Sequence, residues 1–276
     1  LQLESLRGAV VLVDFWDYAC LNCLRTLPYQ QEWWRRYHSE HFTIIGIHSP
    51  QFAFGRVKAN VERAVARLGI LYPVLLDPDL RAWHSWANRY WPSKYLVDSA
   101  GRLQFFQFGE GDYLGIEWNI QLLLQQLDPA AEFPPPMSSL RPEDEPGAVC
   151  FHATPFQYLG YNRGQLGNTE LGNPGDVVHF AEVELRETDT AYLVGDWRND
   201  PEAMTLAGSE GELRIRYHGK GVTLVLHPPE TGAGSMQLFQ DNEPLPNNAF
   251  GPDVRVEGNT PVAIIDIPRL YTLINN

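Results

Sequence analysis

Residues 9–28 read AVVLVDFWDYACLNCLRTLP. The stretch opens on AVVLVDF (9–15), a short apolar run rich in β-branched residues. Such runs form strands buried on both faces of a parallel sheet. Cys20 and Cys23 follow, and helical spacing then continues to about His38. Pro28 lies inside that helix and is expected to kink it. Three readings of the pair are open. A structural zinc needs about four ligands, usually from two paired knuckles. Here Cys150 is the remaining sulfur, and His38, His41 and His48 lack knuckle spacing. A permanent disulfide over so short a loop would constrain little chain entropy. A redox pair suits the position, because unpaired N–H groups and the helix dipole favour an anion at a helix start. The thiol pKa then falls from about 8.5. The two-residue gap sets the second sulfur about one turn on. Cys20 is the expected attacker and Cys23 the resolver of the mixed disulfide.

Outward from this stretch, FTIIGIH (42–48) reads as a second buried strand. Val61, Ala64, Val65 and Leu68 mark a helix that Gly69 ends. LYPVLL (71–76) is a further strand, and Leu80, Trp83, Ala87 and Tyr90 share one face of a third helix. KYLVD (94–98) and LQFFQF (103–108) flank a turn at Ser99–Arg102 and read as a hairpin. Ile116, Ile120, Leu123, Leu124 and Leu127 line a last helix. The order β-α-β-α-β-α-β-β-α is an α/β layer fold. The segment PAAEFPPPMSSLRPEDEPG (129–147) then has prolines and no apolar period, so 129–149 reads as a linker, stiff where prolines cluster. A proline ligand for a partner domain is a second reading of it. From 150 short strands alternate with Gly, Pro, Asn and Asp turns: VVHFAEVEL, AYLVGDW, ELRIRYH, VTLVLH, MQLFQD, VRVE, VAIIDI and LYTLI. This is an all-β, jelly-roll-like sandwich of roughly eight strands. The expected domains are 1–128 and 150–276.

The chain of 276 residues is 44% hydrophobic and carries a net charge of −13. It can bury a core without metal or disulfide staples. The charge argues against nucleic acid, which demands a basic face, and against adhesion to anionic lipid. No apolar run approaches the roughly 18–20 residues that span a bilayer. The chain starts at Leu1 with no signal-peptide pattern, so a trimmed mature protein or a soluble piece of a longer one is expected.

Val13-Asp14-Phe15-Trp16, then Cys20-x-x-Cys23, then Pro28 resemble the thioredoxin active-site segment. Further matches are Gly46-Ile47-His48-Ser49-Pro50, Tyr72-Pro73-Val74, Asn88 through Asp98, and Phe108 through Tyr113. They narrow the resemblance to the DipZ subgroup of TlpA-type thioredoxin folds. It covers nearly all of 1–127 and extends to Thr154-Pro155 and Tyr158-Leu159-Gly160. The resemblance implies a thioredoxin-like domain followed by a sandwich similar to carbohydrate-binding modules. It implies that Asp14 takes the proton of the resolving thiol, a role that a buried carboxylate with a raised pKa can fill. It implies that Pro92 is cis and that its neighbour Trp91 offers backbone hydrogen bonds to a substrate. It further implies an extracytoplasmic location and a CcdA-type membrane electron donor. The chain departs from the pattern in having Gln51 and Gly55 where acidic residues are common, and Leu21-Asn22 between the cysteines.

Trp16, Tyr18 and Trp91 are candidate apolar contacts for a protein substrate, and Glu110 and Asp112 stand on a nearby loop. On the sandwich, Trp197, Tyr158 and Tyr161, with Tyr192 and Phe250, are candidate sugar-stacking aromatics. Asn162, Asn168, Asn173 and Asp196 are possible polar partners. Cys150 is read as a buried strand residue. These features predict a thiol–disulfide oxidoreductase acting on protein thiols and disulfides, with a reductive leaning. The redox-active disulfide Cys20–Cys23 needs no organic cofactor and no metal. Two rival readings stand beside it. One is a carbohydrate or cell-wall scaffold with a vestigial thioredoxin domain. The other is a peroxiredoxin-like peroxide reductase, although that chemistry usually uses Thr-x-x-Cys and position 17 is Asp.

Overall fold

The computed structural model describes residues 6–149, 152–168, 172–182 and 184–275. Contacts divide the chain into two units, Leu1–Val149 with Thr223–Leu273, and Cys150–Val222 with Ile274–Asn276. This division differs from the boundary that the pattern suggests, because residues 223–273 pack within the first unit. His227, for example, places its ring 6.1 Å from that of Phe54.

The first unit is built on a five-stranded sheet, β1 (Val10–Trp16), β2 (Phe42–His48), β3 (Val74–Leu76), β4 (Ser93–Val97) and β5 (Leu103–Phe108), in the order β3-β2-β1-β4-β5. β1, β2 and β3 run parallel, while β4 and β5 are antiparallel additions. β1 is central and buried along its whole length, as an unbroken apolar run demands. Its side chains alternate faces. Val10, Leu12 and Trp16 join a core that includes both cysteines, whereas Val11, Val13 and Phe15 join a second core with Trp83 and Tyr95. Helices α1 (Leu21–Tyr37), α2 (Lys58–Arg67), α3 (Arg81–Ser85) and α4 (Tyr113–Leu127) complete the layers. α1 runs without interruption through Pro28.

Two elements are shorter than their apolar spacing predicts. β3 starts only at Val74, after Pro73, which has no N–H to give to a ladder. α3 has five residues: Leu80 and Ala87, at either end, take left-handed backbone angles, φ 57° and 51°, and Tyr90 is exposed. Asp77 fixes the entry, its carboxylate accepting the Ala82 and Trp83 N–H groups at 2.9 Å each.

The proline-rich segment is a docked strap rather than a free spacer. Phe133 and Met137 pack on the core of the first unit. Glu117, fully buried on α4, accepts the Met137 N–H at 2.9 Å, the Tyr37 hydroxyl at 2.5 Å and Arg36 Nη1 at 3.1 Å. Gln121 donates to the Pro134 carbonyl, and the Tyr29 hydroxyl accepts from the Leu140 N–H and donates to Asp144. Glu117→Ala would take the acceptor from the buried Tyr37 hydroxyl and the Met137 N–H, while Arg36 keeps Glu32 and the Pro135 carbonyl. A loss of about 1–3 kcal/mol in urea unfolding is expected, with faster proteolysis at 134–140; unchanged values for both would show that the strap is not held there.

From β6 onward the described chain is β-structure apart from one 3-10 turn at Asn247–Ala249. β6 (Val177–Phe180), β7 (Ala191–Asn199) and β8 (Met204–Ile215) form one antiparallel sheet. β9 (Gly221–Leu226) pairs with β15 (Arg269–Asn275), β11 (Phe239–Gln240) with β12 (Glu243–Pro244), and β10 (Gly234–Gln237), β14 (Thr260–Ile265) and β13 (Val254–Glu257) form a three-stranded sheet. β8 begins eight residues before the expected ELRIRYH strand, because MTLAGSEG continues the hairpin past a bulge between Gly195 and Trp197.

Candidate redox site

The apolar run of β1 ends at Trp16, and the chain turns through Asp17-Tyr18-Ala19 into α1. Asp17 holds that turn: one carboxylate oxygen accepts the Ala19 N–H at 2.9 Å and the other the Gln51 N–H at 2.6 Å. Cys20 is the N-cap of α1, with φ −92° and ψ 113°, and its Sγ accepts the Cys23 N–H at 3.1 Å. The first turn of α1 carries no acidic residue to oppose charge on that sulfur. Cys20 and Cys23 are joined as a disulfide, with Cα atoms 5.2 Å apart. Cys20 is 7% exposed and Cys23 3%, so what access remains favours the outer sulfur.

Asp14 lies on β1 at the same strand parity as Leu12 and Trp16, hence on the cysteine face, and is 1% exposed. Its register partner on β4 is Lys94, whose Nζ stands 3.5 Å from Asp14 Oδ1. That is ion-pair range, yet neither atom has a well-formed hydrogen bond. Burial pushes the Asp14 carboxyl up, more than Lys94 and then Gln30 pull it down. Burial likewise pushes the Lys94 ammonium down, against the pull of Asp14. Both shifts favour the neutral forms. A polar run connects this region to the pair: Tyr72 donates to Gln30 at 2.7 Å, Gln30 to Thr26 at 3.4 Å, and Thr26 to the Cys23 carbonyl at 2.9 Å.

The Trp91–Pro92 peptide is cis. Pro92 is buried, and its carbonyl accepts the Gly109 N–H at 2.8 Å. Trp91 is half-buried, stacks on Trp83 at 3.9 Å and donates its indole N–H to the Ser49 carbonyl. Trp16 and Tyr18 do not form an exposed rim. Both are core residues closing around His48, Tyr18 stacked on its ring at 5.2 Å and Trp16 edge-on at 5.4 Å. Large flat rings beside a buried imidazole bury more apolar area than an open rim would. Glu110 is not a free loop carboxylate: it pairs with Arg25 at 3.3 Å and Arg141 at 2.9 Å. Asp112 takes φ 48° at the N-cap of α4 with its carboxylate over Gly115.

Gln30 and Thr26 carry no motif and escaped the sequence; His48 and Lys94 fall inside matched segments that assign them no role at the thiols. Only its place in the first half of an otherwise apolar strand hinted at a part for Lys94. His48 Nε2 lies 3.4 Å from Asp17 Oδ1, both side chains sealed from solvent.

The sugar-stacking candidates are mostly committed to other work. Tyr192 is buried, and its hydroxyl accepts the Glu187 N–H. Tyr158 carries the Arg163 guanidinium 3.8 Å over its ring, which covers one stacking face. Trp197 packs on the small core of the second unit and donates to the Val194 carbonyl. Asn168 exchanges two hydrogen bonds with Leu193, while Asn173 pairs with Asp176 and Asp196 with His179. Tyr161 is exposed and Phe250 half-buried. Cys150 lies outside the described residues.

A Cys-x-x-Cys pair capping the helix that follows the central strand of this sheet places the chain in the thioredoxin-fold class, with the site of a thiol–disulfide oxidoreductase. Residues 154–276 match the family described as "Thioredoxin like C-terminal domain". Protein DipZ of Mycobacterium bovis is 35% identical over 253 residues, 91% of this chain and 35% of that protein. The thiol-disulfide oxidoreductase ResA of Geobacillus thermodenitrificans is 26% identical over 103 residues, 37% of this chain and 56% of that one. A crystal structure of a thiol-disulfide isomerase from Corynebacterium glutamicum, 26% identical, superposes with a TM-score of 0.42 over 45% of this chain and 86% of that one. Along 91% of its length the chain is similar to DipZ. It spans about a third of the length of the DipZ proteins it matches.

Proposed function

We propose that this chain is an extracytoplasmic thiol–disulfide oxidoreductase that acts on protein substrates, in the reducing direction. The observation that carries the reading is Cys20 Sγ at the start of α1 accepting the Cys23 N–H, a donor that remains when the sulfur becomes a thiolate. In the reduced state the Cys20 thiolate attacks a substrate disulfide, forms a mixed disulfide and expels one substrate thiolate. Cys23 gives its proton towards Asp14 and attacks Cys20 Sγ, expelling the second substrate thiolate. The substrate gains two electrons, its two thiolates taking one proton back from Asp14 and one from water, and the Cys20–Cys23 disulfide forms. The cis Pro92 segment, with Trp91 at its edge, lines up the substrate backbone. No organic cofactor enters this sequence of steps.

The reset requires a dithiol donor, and a CcdA-type membrane protein fits the resemblance to DipZ. The sequence pattern sets the modules at 1–128, 129–149 and 150–276, the last an accessory sandwich, whereas contacts group 223–273 with the first unit. Tyr161, the exposed aromatic among the three candidates, is where a glycan would stack. Among the described residues no helix is long and apolar enough to cross a membrane. Equilibration in graded glutathione mixtures, followed by labelling of free thiols, tests direction. A midpoint near the roughly −270 mV of thioredoxin supports a reductase, while one near the −120 mV of a strong oxidant overturns that direction.

A further inference from the structure

Outside the cysteine site, the second unit brings together two imidazoles and a carboxylate from segments far apart in the chain. His152, Asp189 and His218 each direct one ligand-type atom to a common point, all within 4.8 Å of one another. His152 Nε2 is 3.1 Å from Asp189 Oδ2, and His218 Nδ1 is 3.5 Å from Asp189 Oδ1. The two imidazole rings meet edge-on with centroids 5.3 Å apart, leaving a nitrogen of each beside the carboxylate. We propose that these three side chains form a binding site for a divalent transition ion of the zinc class.

The geometry fits the ion. Ligands about 2.0–2.2 Å from a tetrahedral centre lie about 3.3–3.6 Å from one another; the separation to Asp189 Oδ1, 3.5 Å, falls in that range, and the one to Oδ2, 3.1 Å, lies just below it. The donor types choose among ions. Calcium and magnesium take oxygen ligands, whereas two imidazoles with one carboxylate suit zinc, copper or nickel. The site is also held from behind. Thr154 donates its hydroxyl to Asp189 Oδ1 and accepts the His218 N–H, its own N–H goes to the His218 carbonyl at 2.8 Å, and the Asp189 N–H goes to the Arg216 carbonyl at 2.7 Å. The three ligating segments are thus stapled together before any ion arrives, which lowers the ordering cost of binding and orients the carboxylate. Both histidine side chains are exposed, so the ion has a direct path and a fourth position open to water or to a donor from another molecule. Binding would cross-link the start of the second unit, the turn before β7 and the exit of β8. The inference is independent of the thiol chemistry.

The test uses the full chain in the Cys150→Ser background, with Cys20–Cys23 oxidised so that no thiol competes, after chelator treatment. Zinc is titrated by calorimetry and by thermal unfolding. One ion per chain is expected, with a melting temperature that keeps rising with the logarithm of free zinc, as linkage to the folded state requires. His218→Ala and Asp189→Asn should each weaken binding about tenfold or more, while calcium gives no shift. Cobalt added in place of zinc should give visible d–d bands that His152→Gln, which keeps a polar side chain, removes. Absence of binding up to about 1 mM zinc, or affinity untouched by the His218 and Asp189 substitutions, overturns the proposal. If either substitution unfolds the second unit, the cobalt spectrum of His152→Gln decides it.

Discussion

Cys23→Ser is expected to leave the chain covalently attached to its substrates, and Cys20→Ser to abolish both adducts and turnover. The asymmetry follows from the position of the two sulfurs on α1. Cys20 caps the helix, keeps the larger share of exposure and accepts the Cys23 N–H; Cys23 sits a turn inside and is nearly sealed. In Cys23→Ser the first exchange proceeds and the second has no nucleophile, so mixed disulfides at Cys20 accumulate. Non-reducing electrophoresis with mass spectrometry reads them directly. Alkylation of Cys20 against pH should show an apparent pKa below the ordinary 8.5, in the range of roughly 3.5–7.5 that helix N-terminal thiols occupy. Adducts on Cys23 in Cys20→Ser, with none on Cys20 in the converse variant, would reverse the roles. An ordinary midpoint near 8.5 would remove the helix-start argument altogether.

The parts of the site that lie on one continuous pattern were legible from sequence. β1 alternates two cores, so the parity of Asp14 follows from Leu12 and Trp16; the cysteine junction follows from where the apolar run stops. Legibility failed where a residue's partner comes from another strand or loop. Lys94 meets Asp14 through the β1–β4 register, which no local spacing encodes. The segment Leu80–Tyr90 carries helical spacing, but Asp77 starts the helix late and the left-handed Ala87 ends it early. The strap at 129–147 looked unattached because its docking depends on Phe133, Met137 and backbone groups meeting Glu117 and Gln121 rather than on any period. The aromatic residues around the thiols were identified, but which of them face solvent is a property of the packed unit. Composition cannot separate a buried Tyr18 from an exposed one.

Asp14→Asn is expected to slow resolution of the mixed disulfide by about 10²-fold or more at pH 7, the usual contribution of a positioned general base, while attack by Cys20 stays near its normal rate. Single-turnover kinetics separate the two steps. With Asp14 present, the resolution rate should climb with pH as the carboxyl ionises, at a midpoint above the usual carboxylate range because burial raises it. Lys94→Met removes the main influence pulling that carboxyl down, so the same inflection should move to higher pH; a merely structural lysine would leave it in place. Stability carries a second signature with a definite sign. A folded-state carboxyl held above its unfolded value imposes no penalty below the unfolded pKa, and stability is lost as pH rises through the folded one. An ammonium held below its unfolded value does the reverse: its penalty is complete at pH below its folded pKa and disappears as pH rises towards the unfolded 10.5. At pH 7 both penalties act against the fold. Asp14→Asn/Lys94→Met should therefore unfold at higher urea than the natural chain, by about 1–4 kcal/mol, as replaced buried ion pairs often do, and should resolve mixed disulfides slowly. The natural sequence would then retain a destabilising pair for the proton it moves. Resolution in Asp14→Asn at the normal rate and with the normal pH profile would assign the proton to another acceptor and leave Asp14 as a core polar residue alone.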